Sequence, residues 1–183
     1  MTSSGEWGTP LAPFTVPWAG IGRKSAGDAP GRENAPVQIR SGPWVAEEVD
    51  AFLRDATIPI RLATNGRTYP LVQSLWFRYD DDALWCCTQA DSVLVRRLTR
   101  DPHCAFEVSA DEPPYRGVRG RGRATVLGEG ADRTLPALLA RYLGTAPSPL
   151  GDWLMSRLDR EVVVRIDHLV VTSWDYTSRM AER

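Results

Sequence analysis

Between residues 58 and 88 short apolar runs alternate with turn formers at a spacing that leaves little choice of architecture. "IPIRLAT" (58–64) is strand-like, and Asn65-Gly66 after it is a hairpin signal. "YPLVQSLWFRY" (69–79) reads as the returning strand, "DDD" as a solvated turn, and "ALWCCT" (83–88) as a third strand. Tight turns force neighbouring strands to run antiparallel. Three more runs extend the series: "HCAFEV" (103–108), an arginine-rich stretch ending at Leu127, and "EVVVRIDHLVVTSWDY" (161–176), which is one long strand or two with a bend. Helical spacing interrupts them. "SGPWVAEEVDAFLRD" carries Val45, Val49, Phe52 and Leu53 on one side, and "SVLVRRLTRD" (92–101) is capped by Ser92. "DRTLPALLARYLG" presents Leu135, Leu138, Leu139 and Tyr142, with Pro136 tolerable in a first turn, and "SPLGDWLMSRLDR" is a further helix. The expectation is a mainly β domain with flanking helices, six antiparallel strands forming a small closed barrel.

Residues 1–40 show no period and are rich in Gly, Pro, Ser and Ala. They read as an arm, either disordered or packed through Trp7, Phe14 and Trp18, ahead of a folded domain over 41–183. "MTSSGEWGTP" lacks the basic start and apolar stretch of a signal peptide, and no apolar run is long enough to span a bilayer. Net charge is −1, which counts against a nucleic-acid-binding barrel. Three cysteines with no C-x-x-C spacing, and only two histidines, call for no zinc cage. Cys86 and Cys87 are adjacent on a strand and so point to opposite faces, as small apolar residues kept reduced in a cytoplasm. His103 and His168 read as structural.

"PPYRGVRGRGRATV" (113–126) concentrates charge that the rest of the chain does not. On a strand Arg119, Arg121 and Arg123 share one face, and Gly120 and Gly122 the other. Guanidiniums are shaped for phosphate and carboxylate, so the row is either an anion site or an outer face paired with acids of the chain. The glycine face admits a close neighbour.

The order of these pieces carries a resemblance. Pro70-x5-Trp76-Phe77, then Thr88-x3-Ser92 before a helix ending in Arg100-Asp101-Pro102, then the arginine strand, then Ser173-Trp174-Asp175 resemble the pyridoxamine-phosphate-oxidase-like family of flavin- and deazaflavin-binding split barrels, over residues 45 to 180. The resemblance implies a six-stranded split barrel, and a homodimer with two cofactors at its interface. The strand at Val72, Gln73, Ser74 and Leu75 would then lie along the cofactor ring, with Trp76 at the pocket edge. Thr88 and Ser92 would hold the cofactor phosphate at a helix N-terminus. The arginine strand, through Arg119 and Arg121, and Trp174 would close over the cofactor from the second subunit. Many relatives carry Lys or Arg two residues after that serine. Here Leu94 stands there, preceded by Val93, and Arg96, Arg97 or a partner arginine would take over.

No nucleophile–base pair and no Gly-rich phosphate loop is present, which suits chemistry done by a bound ring. The implied function is a flavin-dependent oxidoreductase with FMN, acting on a small molecule by hydride transfer. The alternatives are a deazaflavin-dependent reductase, whose cofactor carries a long acidic tail, and a non-catalytic split barrel that binds flavin or haem. Trp76, Trp85, Tyr115 and Trp174 are candidate pocket walls. Oxidation of pyridoxamine phosphate itself is not expected, because the substrate-phosphate residues of that enzyme are not recognisable.

Overall fold

The computed structural model describes residues 36–181. Trp7, Phe14 and Trp18 lie outside these described residues. The described chain runs β1 (Gln38–Ser41), α1 (Ala46–Asp55), β2 (Ile60–Thr64), β3 (Leu71–Leu75), β4 (Arg78–Asp80), β5 (Ala83–Gln89), α2 (Val93–Arg100), β6 (His103–Ser109), β7 (Arg116–Leu127), α3 (Ala131–Leu143), α4 (Pro149–Met155), a short 3₁₀ turn (Leu158–Arg160), β8 (Glu161–Asp175) and α5 (Thr177–Ala181).

One curled sheet takes all eight strands, in the order β3-β2-β6-β7-β8-β5-β4, with β1 parallel to β8. The ladder does not close between β3 and β4, so the barrel is split rather than closed as periodicity suggested. The count exceeds the expected six for two reasons. Gln38–Ser41 forms a strand beside Val170–Thr172, in a stretch too short and too polar to show a period. The run 69–79 breaks in two at Trp76 and Phe77, because Phe77 turns wholly into the core. Asn65-Gly66 is also not a two-residue turn: β2 and β3 pair up to Thr64 and Leu71, leaving a six-residue connection. The aspartates do turn the chain tightly, with Asp81 and Asp82 at φ 49° and 53° between β4 and β5.

β8 is fifteen residues long because it serves three neighbours. Glu161–Ile166 pair with β5, Val170–Thr172 with β1, and β7 runs along most of the strand. A bulge opposite Gly122, with His168 at φ 53°, separates the two halves. The barrel interior is filled by alternate residues: Ile60 and Leu62, Phe106 and Val108, Val164 and Ile166, closed by Leu53, Phe77 and Leu94. Gly120 and Gly122 belong to this interior. A Cβ at Gly120 would stand 2.7 Å from the Val170 carbonyl oxygen and 2.9 Å from Phe106 Cζ, so the close neighbour these glycines admit is the barrel's own core. In α3, Gly130 at φ 92° caps the helix before Ala131. The helix thus begins earlier than its apolar spacing implies, and Pro136 falls in its second turn, where it forgoes one backbone hydrogen bond.

Candidate functional site

Three concave surfaces matter, and the sequence-predicted residues distribute among them. The first is a cavity of about 470 Å³ beside the split. Ser74, Leu75 and Trp76 enter it from the end of β3, Cys87, Thr88 and Gln89 from the end of β5, and Ser92 from the cap of α2. Leu135, Leu138, Leu150 and Leu154 of α3 and α4 supply an apolar wall, and Glu161 an acid. Five residues chosen from the sequence meet here: Ser74, Leu75, Trp76, Thr88 and Ser92. Sequence reasoning missed the leucine wall and Glu161. The leucines were visible as helix faces, but nothing local told which surface those faces would cover.

The polar groups of this cavity are set by fold. β3 pairs only with β2 and is an edge of the sheet, so half the backbone N–H and C=O groups of Val72–Leu75 have no strand partner among the described residues. Trp76 is fixed by stacking on Tyr142, ring centroids 5.0 Å apart and planes 9° apart. The Tyr142 hydroxyl accepts from Phe77 N and donates to the Ile58 carbonyl, both at 3.2 Å. Ser92 Oγ accepts from Val95 N at 3.2 Å and the Ser92 carbonyl from Arg96 N, which leaves the N–H groups of Val93 and Leu94 for an anion. Burial, and then the nearby Glu161, push the Cys87 thiol up to about 12, so it is no nucleophile.

Gln73 faces the opposite way from Ser74, opposite Leu62, and its Oε1 is buried with no hydrogen-bond partner. Leu94 is fully buried in the core, whereas Val93 is 43% exposed. The position where relatives carry a cation thus points inward here, and only the backbone of Leu94 can face a ligand.

Cations lie in a second concavity of about 470 Å³, formed by Arg67, Tyr69, Val93, Arg96, Arg97 and Arg100 with Thr68. Val93 of this hollow follows Ser92 of the first cavity directly in sequence, although the two share no lining residue. Several of these arginines also hold the β2–β3 connection: Arg97 donates to the carbonyls of Thr64 and Tyr69 at 3.4 and 3.3 Å, and Arg100 to that of Asn65 at 3.2 Å. Asn65 Nδ2 donates to Asp101 at 2.8 Å. With His103 bonded to the same carboxylate, this holds Asp101 at about 2.

The arginine row lies on the outer face of the sheet. Arg119 and Arg121 line a hollow of about 700 Å³ with Arg40, Arg61, Val72 and Val170, over a floor of Ala63 and Ala105. Arg61 is occupied by Ser109 and Asp111 at 2.8 Å and by Glu107 at 3.6 Å. Arg119 and Arg121 have no ion pair among the described residues. Trp174 alternates with Thr172 onto this same face and tilts against Tyr176. This hollow shares no residue with the Ser74–Thr88–Ser92 cavity, so one chain does not bring the arginine row and Trp174 to that cavity. Of the other candidate walls, Trp85 lies under Arg165 and donates to the Asp80 carbonyl, and Tyr115 is exposed; neither lines the cavity. His103 and His168 each bond an aspartate and also stand outside it.

The family model described as pyridoxamine 5′-phosphate oxidase matches residues 45–174. The chain belongs to the pyridoxamine 5′-phosphate oxidase family. The match begins at the cap of α1 and ends at Trp174, so it takes in every strand from β2 to β8 and every wall of the cavity. Solved structures of related shape agree on the split barrel of this family. A conserved hypothetical protein from Mycobacterium tuberculosis is 22% identical, with TM-score 0.63, covering 84% of this chain and 93% of that one. An F420 reductase is 22% identical, with TM-score 0.53, covering 63% and 89%. A FAD-binding protein from Mesorhizobium loti is 20% identical, with TM-score 0.53, covering 71% and 93%. At these identities the likeness shows the fold. No curated protein matches the chain. No helix among the described residues is long and apolar enough to cross a membrane.

Proposed function

We propose that the protein is a flavin-dependent oxidoreductase, with FMN as the simplest cofactor, working as a homodimer in the cytoplasm. The observation that carries this reading is the cavity itself. Ser74 comes from a different strand than the Thr88–Ser92 segment, yet the three meet beside an open strand edge, at the start of α2, under an apolar wall. Those groups fit a planar ring with a phosphate at one end: unpaired backbone groups of β3 for the ring edge, Trp76 and the leucines for its faces, Ser92 and the first turn of α2 for the phosphate. A flavin bound there would supply hydride transfer. The chain's own part is to orient the ring, exclude water with Leu135, Leu138, Leu150 and Leu154, and leave space for a small acceptor molecule.

The dimer belongs to the reading because Arg119, Arg121 and Trp174 are on another face. A second copy seated on the Ala63–Ala105 floor would carry its arginines and tryptophan toward this cavity.

A deazaflavin is the second reading, favoured by the arginine hollow of Val93, Arg96 and Arg97, which begins one residue after Ser92 in sequence. It suits a tail with more than one negative charge. Of the solved structures above, one is an F420 reductase and another is FAD-binding. A haem site is not supported by the cavity, which neither histidine lines.

The test is the visible spectrum of purified protein, with mass spectrometry of what denaturation releases and a titration with FMN and deazaflavin. A bound or binding flavin supports the reading, and the released mass decides between the two cofactors. A colourless protein that binds neither overturns it.

A further inference from the structure

Two acids are buried among the described residues, and they are treated differently. Asp167, 7% exposed, is paired with both Arg165 and His168. The side chain of Glu161, a residue 9% exposed, has no hydrogen bond or ion pair with any described residue. A carboxyl that is mostly withdrawn from water and has no protein partner is disfavoured at the start of β8, where a valine or leucine would carry no such cost. Glu161 stands opposite Gln89, at the last rung of the β5–β8 ladder, and lines the cavity with Thr88, Ser92 and Trp76. Its titratable and charged neighbours are few. Cys87 on β5 stays a neutral thiol, and Arg157 before the 3₁₀ turn lies over the Trp153 ring at 4.8 Å. The walls that α3 and α4 bring to the cavity are leucines.

We propose that Glu161 is the hydrogen-bond donor of this cavity: as a carboxylic acid it meets a carbonyl or ring-nitrogen acceptor on the edge of the bound cofactor ring, so that binding holds a proton on the protein. The inference rests on the cofactor reading above and deepens it. Burial raises the Glu161 carboxyl from its ordinary value by more than Arg157 lowers it, a shift in favour of the donor form. A donor at the ring edge also favours charge arriving on the ring, which eases its reduction.

The test uses the full chain and FMN as the probe, with affinity followed by fluorescence quenching from mildly acid to mildly alkaline pH. Proton uptake is read in the same conditions by calorimetry in two buffers of different ionisation enthalpy. For the wild type, affinity is expected to fall as pH rises, by up to about tenfold per unit, with net proton uptake on binding. Glu161→Gln keeps a donor and cannot titrate, so it should lose the wild-type fall in affinity, keep only the pH dependence of the FMN phosphate itself, and bind close to the wild-type value in acid. Glu161→Leu should bind about 2- to 10-fold more weakly in acid. Wild-type binding that is flat with pH and takes up no proton overturns the inference without any variant, as does a Glu161→Gln profile that keeps the wild-type slope. In both cases FMN still binds and the cofactor reading stands. A wild type that binds neither FMN nor deazaflavin overturns the cofactor reading, and this inference with it.

Discussion

Leu94 shows how a single residue changes meaning with its environment. Its place two residues after Ser92 suggests a lost phosphate grip, yet its side chain is wholly within the barrel core beside Leu98. Leu94→Ala is therefore expected to cost about 2–5 kcal/mol in urea unfolding. A cation added at the exposed neighbour, Val93→Lys, should change stability by less than about 0.5 kcal/mol and tighten FMN binding. Glu161 gives a stability prediction of its own. Its folded-state value is raised above the unfolded one, so the native state binds more protons. Stability is then fullest below the unfolded value of about 4.3 and falls as pH rises toward the raised folded value. Glu161→Gln should lack that decline and melt higher than the wild type at neutral pH, as seen by circular dichroism across pH.

Among the elements, α2 does most to shape the site. It packs Leu94 and Leu98 inward, offers its first turn to the cavity, and with Arg97 and Arg100 ties down the six-residue β2–β3 connection. Ser92→Ala removes the cap and should cost about 1 kcal/mol. Asp101 closes the other end of the clamp. Its folded-state value of about 2 lies below the unfolded value of about 3.9, so its contribution is present above the unfolded value and lost as pH falls through about 2. Asp101→Asn should thus be less stable than the wild type at neutral pH, with the difference closing as pH falls. Urea midpoints measured against pH check this, and the exposed setting keeps the effect modest. The same variant should speed amide exchange in residues 65–70.

At the scale of the whole molecule, the hollow on the outer face of the sheet is the feature on which the dimer reading turns. Small Ala63 and Ala105 form its floor, edged by Val72, Val170, Arg119 and Arg121. On the dimer reading, light scattering gives twice the chain's 20.3 kDa. Ala105→Asp, which places a charge in the middle of the floor without touching the core, should give the monomer mass and weaken FMN binding. A wild type already at monomer mass would remove the second-subunit role of Arg119, Arg121 and Trp174.

Strand-like runs joined by turns determined the antiparallel architecture from sequence alone, since strand alternation and turn chemistry are local properties. The ordered motifs likewise brought out Ser74, Trp76, Thr88 and Ser92, and the arginine row with its glycine backs followed from a period of two. Only the tertiary structure decided the rest, because each decision depended on which surfaces meet. β1 exists only because β8 runs long enough to offer it an edge. Phe77 breaks a continuous strand because the core takes it in. Gly120 and Gly122 prove to be space for Phe106, Val171 and Ile166 rather than for a ligand. Glu161 looks like any charge at the end of a strand until α3 and α4 bring their leucines over it, and burial against distant residues leaves no trace in the residues nearby.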